Sequence, residues 1–170
     1  MIREKPIRPP VAADGPGVVL LDALQAGLDE PGLRESARTS ASSTGAPHTS
    51  RSYRYPYAFV VSHSEPVGID IERIEPFDQA FLDSILTPSE RRAGFSDANP
   101  DRFAASLWSS KEALSKALGD PVRYDPRRLD SPMFWPDARS GPWRAASLPV
   151  PAGHVAWLCW RSASSDARCS

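Results

Sequence analysis

The hydrophobic and polar positions in the first half of the chain predict one helix, one long loop and one strand. Apolar residues recur at positions 18, 21, 24 and 28, which is a helical period, and Pro31 and Gly32 are expected to end this helix. Nine of the seventeen residues from 36 to 52 are Ser or Thr, which indicates a mobile loop. Residues 57–61 are aromatic and β-branched and predict a strand, whereas the polar residues 62–66 predict a turn.

The middle of the chain predicts a second strand followed by two short helices. Residues 67–72 alternate acids with aliphatic side chains, which is typical of a strand, and residues 78–86 predict a short helix. Thr87 and Glu90 have the spacing of a capping box, and Pro88 lies between them in the first helical turn. A second helix is therefore expected to begin there.

The last part of the chain predicts a long helix followed by a hairpin. Asn99 can cap this helix and Pro100 suits its first turn. One helix face carries an apolar stripe, formed by Phe103, Leu107, Leu114 and Leu118. Seven prolines between residues 121 and 151 indicate an irregular connection, and residues 143–148 and 154–160 are expected to pair as antiparallel strands.

Length and composition restrict the possible function classes. With 170 residues and 41% hydrophobic residues, the chain suffices for one domain, or for two small half-domains that share a core. The formal net charge of -1 favours neither nucleic acid nor an anionic membrane as a partner, and no apolar run is long enough to span a bilayer. Cys159 and Cys169 are too few for a disulfide framework, so we expect a reducing, cytoplasmic location.

Asp70 and Glu72 are the first candidate site residues. Side chains two apart on a strand point to the same face, about 7 Å from each other. Two carboxylates in this arrangement form half of a site for a hard cation such as Mg²⁺, which takes its other ligands from water and phosphate. The alternative is a strand with one solvated face.

Trp108, Glu112 and Lys116 are spaced by four residues and therefore share one face of the long helix. This face lies roughly opposite the apolar stripe. An ordinary surface ion pair would explain Glu112 and Lys116, since this order is the favourable one. It does not explain Trp108, a large apolar group on the polar side, which indicates that something covers this face.

The two patterns together resemble a known family. VGIDIE at residues 67–72 and WSSKEALSKA at residues 108–117 are similar to the paired signature of the 4′-phosphopantetheinyl transferase superfamily. The resemblance implies an α+β fold, with antiparallel strands packed against a long helix and two pseudo-symmetric halves of which the first is trimmed. The expected boundaries are a flexible leader at 1–16, a shortened N-terminal half at 17–66, a catalytic half at 67–162 and a tail at 163–170.

The resemblance also implies the reaction and the roles of the site residues. The 4′-phosphopantetheine arm of coenzyme A would pass to a serine of an acyl or peptidyl carrier protein, in fatty acid, polyketide or nonribosomal peptide synthesis. Mg²⁺ would bind Asp70, Glu72 and Glu112. The negative charge of the phosphates would be neutralised by Lys116 and Lys111. Glu112 would also accept the proton of the serine. We expect a monomer. The alternative function is that of a homologue that binds carrier proteins without transferring the phosphopantetheine arm.

Two histidines compete for a role in binding coenzyme A. Larger members of the family place a Ser-His pair on the phosphates, immediately before the strand that precedes the acidic motif. Ser62 and His63 look like that pair but fall in the predicted turn after the strand at 57–61. His48 stands before that strand, in the expected order along the chain. The hypothesis is therefore that His48, and not His63, contacts a phosphate of coenzyme A.

Overall fold

Two antiparallel sheets form the centre of the fold, with one helix packed on each outer face. The computed structural model describes residues 5–7, 15–93, 99–121 and 123–162. Each sheet has four strands in this part of the chain. One core lies between the sheets, where Phe59 and Val61 of the first meet Ile69 and Leu158 of the second. Further apolar clusters join each sheet to its helix.

The first sheet has the strand order β1-β2-β4-β3. Its elements are β1 (Lys5–Ile7), β2 (Gly17–Asp22), β3 (His48–Arg54) and β4 (Tyr57–His63), with the helices α1 (Ala23–Ala26) and α2 (Glu30–Ser43) between β2 and β3. Strand β1 lies within the expected flexible leader, so three residues of that segment pair with β2. The rest of the leader up to residue 14, and the expected tail at 163–170, lie outside the described residues.

The helix expected between residues 18 and 28 is wrong for its first part, because residues 17–22 form strand β2; within that range only Ala23–Ala26 are helical, as the short α1. Val18 pairs with Val61 of β4 in the sheet. Strand β2 is covered on both faces, by the second sheet and by α2, so its apolar residues run continuously and show no alternation. Pro31 lies in the first turn of α2, and the Asp29 side chain caps that helix by accepting from the Gly32 N–H at 2.8 Å.

The loop expected at residues 36–52 is also wrong. Its first part belongs to α2 and its last part to β3. Leu33, Ala37 and Ala41 recur every four residues and are buried against the first sheet, so the Ser and Thr residues occupy mostly the other faces of the helix. Only a few apolar residues pack α2 against the sheet, and the Ser and Thr residues outnumber them. The composition of the segment therefore suggests a loop.

The second sheet has the strand order β5-β8-β7-β6. Its strands are β5 (Val67–Arg73), β6 (Arg139–Ser140), β7 (Trp143–Ser147) and β8 (His154–Arg161); between β5 and β6 lie α3 (Gln79–Ile85), α4 (Pro88–Ala93), α5 (Pro100–Ala117) and three short 3-10 turns. Of the predicted elements, the strand at residues 67–72, the two short helices, the long helix and the closing hairpin are all confirmed. The α+β class is confirmed with them, and the pseudo-symmetry of the two halves stays a prediction.

The local signals at the helix starts act as expected. Thr87 and Glu90 form the reciprocal capping box, with the Thr87 N–H at 2.8 Å from Oε2 of Glu90 and the Glu90 N–H at 3.3 Å from Oγ1 of Thr87. Asn99 caps α5 by accepting from the Arg102 N–H at 2.9 Å. In the described part of the chain, none of the helices combines the length and hydrophobicity that a bilayer-spanning segment needs.

The apolar stripe of α5 is buried except at its last position. Phe103, Leu107 and Leu114 are buried, whereas Leu118 is 49% exposed. The expectation for Leu118 is wrong, because this residue is the C-cap of the helix and lies exposed beyond the buried part of the stripe.

Candidate active site

Helix α5 lies directly on strand β5, and Gly68 permits this contact. A Cβ at Gly68 would stand 2.0 Å from the carbonyl oxygen of Ala113 and 2.5 Å from the nitrogen of Ala117. Asp70 and Glu72 lie on the same face of β5 as Gly68. The predicted acids of the strand and the predicted polar face of the helix are therefore brought together.

Asp70 is the most enclosed acid of the site. Its Oδ1 accepts from the Ser52 hydroxyl at 2.9 Å and from Nζ of Lys116 at 2.7 Å. Its Oδ2 is buried and has no hydrogen-bond partner in the described residues. Buried carboxylate oxygens are rarely left without a partner, so Oδ2 marks a place where a ligand would be stabilised.

Glu72 is buried beside an arginine. Nε of Arg54 lies 2.7 Å from Oε2 of Glu72, and Nη2 lies 2.5 Å from the same oxygen. Burial, followed by the negative charge of Asp70, raises the pKa of Glu72 to about 7, although Arg54 and Lys116 act in the opposite direction. The carboxyl of Glu72 therefore changes its charge near neutral pH.

Glu112 is half-buried and has a phenol as its partner. The Tyr124 hydroxyl donates to Oε1 of Glu112 at 2.6 Å. Burial raises the pKa of Glu112 and the negative charge of Asp70 adds to this effect, whereas the hydrogen bond from Tyr124 lowers it. Burial and the neighbouring Glu112 raise the pKa of Tyr124, so the phenol stays protonated and continues to donate. Sequence reasoning missed Tyr124, because it lies in the irregular connection, where no periodicity marks it.

Strand β3 carries a row of side chains that form hydrogen bonds with groups of β5. The Ile69 N–H donates to the Ser50 hydroxyl and the Ile71 N–H to the Ser52 hydroxyl, each at 3.2 Å. Arg54 follows in the same row, opposite Glu72. We name Ser50, Ser52 and Arg54 the β3 row. No hydrophobic alternation marks this strand in the sequence, and Ser50 and Ser52 fall in the predicted loop.

Lys111 does not belong to this site, which corrects its expected role at a phosphate. Its side chain is fully buried, and Nζ donates to Oε2 of Glu90 at 2.7 Å and to the carbonyl oxygens of Ile85 and Pro126 at 2.5 and 2.8 Å. Five residues correspond to about 140° around a helix, so Lys111 and Lys116 point to different sides of α5. Lys111 instead ties α5 to α4 and to the following connection.

Lys111→Met is expected to lower the free energy of unfolding by about 3 kcal/mol and to leave the KM for coenzyme A unchanged. The substitution leaves the Glu90 carboxylate buried without its cation, which is costly. A melting curve would shift down by roughly 10 °C. The double variant with Glu90→Gln should recover part of this loss. A higher KM with an unchanged melting temperature would restore the phosphate role of Lys111.

The two histidines are neighbours across β3 and β4, where His48 pairs with His63 in the register. Ser62 and His63 lie within β4, which corrects the predicted turn at these residues. His63 is buried, and its Nε2 lies 3.3 Å from the carbonyl oxygen of Arg161. His48 is exposed and stands four residues, about 13 Å along the strand, from Ser52. Its contact with a phosphate stays a prediction.

The carboxylates of the site are held by protein cations and a phenol. Among the described residues, no three His, Cys, Asp or Glu side chains are close enough to hold a metal ion as a ready-made cluster. Arg54 binds Glu72, Lys116 binds Asp70 and Tyr124 binds Glu112. Even so, the unpartnered Oδ2 of Asp70 and the raised pKa values of Glu72 and Glu112 fit a cation. A divalent ion at Oδ2 of Asp70 would offset the repulsion among the three carboxylates.

A cleft of about 250 Å³ opens beside Glu72. Arg54 stands at one side, and Phe77, Phe81 and Trp108 provide aromatic walls. The ring of Phe81 meets that of Trp108 edge-on, with centroids 5.6 Å apart. The prediction that something covers the Trp108 face is confirmed, and the residue that contacts Trp108 here, Phe81, belongs to α3.

Comparison with known proteins agrees with this geometry. A sequence model of the family described as "4'-phosphopantetheinyl transferase superfamily" matches residues 66–161, which is 96 of the 170 residues. The chain belongs to this superfamily. The match includes β5 and α5, the two elements that carry Asp70, Glu72, Glu112 and Lys116.

Two relatives are large synthases of which this chain resembles a small part. A stretch of 63 residues, 35% of the chain, is 33% identical to the fatty acid synthase subunit alpha of Schizosaccharomyces pombe. A stretch of 59 residues, 33% of the chain, is 37% identical to the fatty acid synthase subunit alpha of Candida parapsilosis. Each match spans 3% of the length of that relative.

Proposed function

We propose that this protein is a Mg²⁺-dependent transferase that moves the 4′-phosphopantetheine arm of coenzyme A to a serine of an acyl or peptidyl carrier protein. The observation that carries this proposal is the meeting of Asp70 and Glu72 on β5 with Glu112 and Lys116 on α5. These four residues lie within the region that matches the superfamily. The similarity to fatty acid synthase subunits supports fatty acid synthesis as one setting for the reaction.

The side chains divide the chemistry between them. Glu112 accepts the proton of the carrier serine, because its raised pKa makes its carboxylate a stronger base than an ordinary glutamate. The Tyr124 hydroxyl holds Glu112 in place. Lys116 neutralises negative charge on the phosphate that is attacked. The serine oxygen forms a bond to phosphorus as the pyrophosphate bond breaks, and adenosine 3′,5′-bisphosphate leaves.

Asp70, Glu72 and Glu112 are the residues that would hold the metal ion. When bound there, Mg²⁺ supplies charge neutralisation of the pyrophosphate and polarises the phosphorus. The cleft beside Glu72 offers apolar walls to the pantetheine arm through Phe81 and Trp108. We expect the enzyme to act as a monomer in the cytoplasm, and the free, buried thiol of Cys159 is compatible with that location.

The direct test is to incubate the protein with coenzyme A, Mg²⁺ and an apo carrier protein and then to weigh the carrier. A gain in mass of one phosphopantetheine group per carrier supports the proposal. Binding of the carrier with no gain in mass would favour the alternative, a homologue that binds carriers without transfer. An unchanged carrier that also fails to bind would exclude both functions.

The affinity for Mg²⁺ is expected to rise about tenfold between pH 6 and pH 8, measured by calorimetry without coenzyme A. A metal ion binds the ionised carboxylate, and with a pKa of about 7 Glu72 is mostly protonated at pH 6 and mostly ionised at pH 8. Glu72→Gln should remove most of this pH dependence. Equal affinities at the two pH values would show that Glu72 is not a ligand.

A further inference from the structure

We propose that Arg54 is a substrate-binding residue of this site, which pairs with Glu72 in the free protein and turns to the pyrophosphate of coenzyme A when a divalent cation takes Glu72. This inference rests on the proposed function and adds a residue to it. It also predicts that Arg54 and the metal ion compete for one carboxylate.

The first support is the placement of Arg54. It is the last residue of the β3 row, and its guanidinium reaches the acids from the strand opposite α5. The side chain of Arg54 is 48% exposed, whereas that of Glu72 is 10% exposed. Arg54 therefore approaches a buried carboxylate from the solvent side, at the mouth of the aromatic cleft. A group in this position can leave Glu72 without breaking the core.

The second support is the way in which the guanidinium binds. Both of its contacts with Glu72, at 2.7 and 2.5 Å, go to the single oxygen Oε2. A guanidinium has five N–H groups in a planar fork, which suits two oxygens of a phosphate better than one oxygen of a carboxylate. The pairing with Glu72 thus uses only part of the binding capacity of Arg54. A pyrophosphate beside Glu72 would use it more fully.

The third support is the charge of the site. Asp70, Glu72 and Glu112 face two protein cations, Arg54 and Lys116, which leaves one net negative charge when all five groups are ionised. A divalent ion makes this charge positive by one, and a pyrophosphate with two negative charges then restores near balance. Without Arg54, the complex would carry an additional uncompensated negative charge in a partly buried place, which is unfavourable.

Lys116 is less suited to this exchange. Its Nζ donates both to Asp70 at 2.7 Å and to the backbone oxygen of Ile69 at 3.1 Å, and its side chain is 21% exposed. Its ammonium group is anchored to β5 by two bonds. Arg54 is the more exposed of the two cations that pair with the β5 acids.

The test measures binding rather than turnover. Mg²⁺ binding is measured by calorimetry without coenzyme A at pH 9, because the loss of Arg54 raises the pKa of Glu72 and would favour its protonation nearer neutral pH. Coenzyme A binding is then measured at saturating Mg²⁺ and the same pH. For Arg54→Gln we expect at least fivefold tighter Mg²⁺ binding and at least tenfold weaker coenzyme A binding, because the competitor and the phosphate ligand are lost together. Arg54→Lys should fall between this variant and the wild type. Arg51→Gln is the matched control, since Arg51 is an exposed arginine of β3 outside the β3 row.

The outcomes separate this inference from the proposed function. If the wild type binds Mg²⁺ and coenzyme A and Arg54→Gln behaves like it in either measurement, the role of Arg54 is overturned and the proposed function stands. Weaker Mg²⁺ binding in Arg54→Gln would also overturn it, because Arg54 would then support the metal site. A wild-type protein that binds neither ligand would overturn both proposals. Melting curves of all variants exclude unfolding as the cause.

Discussion

Glu112→Gln is expected to lower the rate of carrier modification by about 10²–10⁴-fold, which is the usual contribution of a positioned general base. The amide has nearly the same shape as the carboxylate and can still accept from the Tyr124 hydroxyl, so the fold should be kept. It cannot take the proton of the serine, and it is a poor ligand for Mg²⁺. The measurement is the rate of mass gain of the carrier at saturating Mg²⁺ and coenzyme A.

Glu35→Gln is the control for this experiment. It makes the same chemical change at an exposed carboxylate on α2, in the layer of the fold farthest from the site. This variant should keep the wild-type rate. A rate for Glu112→Gln within threefold of the wild type would show that Glu112 is neither the general base nor a required metal ligand. Another residue would then have to accept the proton of the serine.

The site residues that could be predicted from the sequence are those with regular local spacing. Asp70 and Glu72 are two apart on a strand, and Glu112 and Lys116 are four apart on a helix. These spacings predict that the two members of each pair lie on the same face of their element. Thr87 and Asn99 likewise predict, from local sequence alone, where the helices α4 and α5 begin. None of these signals requires knowledge of distant parts of the chain.

The residues that could not be predicted owe their roles to contacts across the fold. Arg54 and Tyr124 reach the acids from a strand and from an irregular segment, and neither has a local pattern that points to Glu72 or Glu112. Lys111 shows the converse case. Its place in a family-like motif indicates a phosphate ligand, but the side of α5 on which it lies faces Glu90.

The largest errors in the fold arose where burial hides the usual periodicity. Strand β2 is covered on both faces and therefore lacks the alternation of a half-exposed strand. Helix α2 packs through Leu33, Ala37 and Ala41, which are outnumbered by the surrounding Ser and Thr residues. Both elements depend on neighbours that are distant in sequence, so the apparent helical period of β2 and the polar composition of α2 each led to a wrong assignment.

Gly68→Ala is expected to lower the free energy of unfolding by more than about 4 kcal/mol, beyond the usual cost of overpacking. The added Cβ would stand 2.0 Å from the carbonyl oxygen of Ala113 and 2.5 Å from the nitrogen of Ala117, and both are backbone atoms of α5 that no side-chain rotation can move. The helix must therefore shift away from β5. The measurement is chemical unfolding followed by circular dichroism.

Gly45→Ala separates this steric effect from the general cost of replacing a glycine. Gly45 has a φ of +63° and nothing within 4 Å of an added Cβ, so only backbone strain of about 1 kcal/mol is expected there. Because the shift of α5 also moves Glu112 and Lys116 away from the acids of β5, any Gly68→Ala protein that still folds should bind Mg²⁺ more weakly than the wild type. Normal stability together with normal Mg²⁺ affinity would mean that the contact of α5 with β5 does not assemble the site.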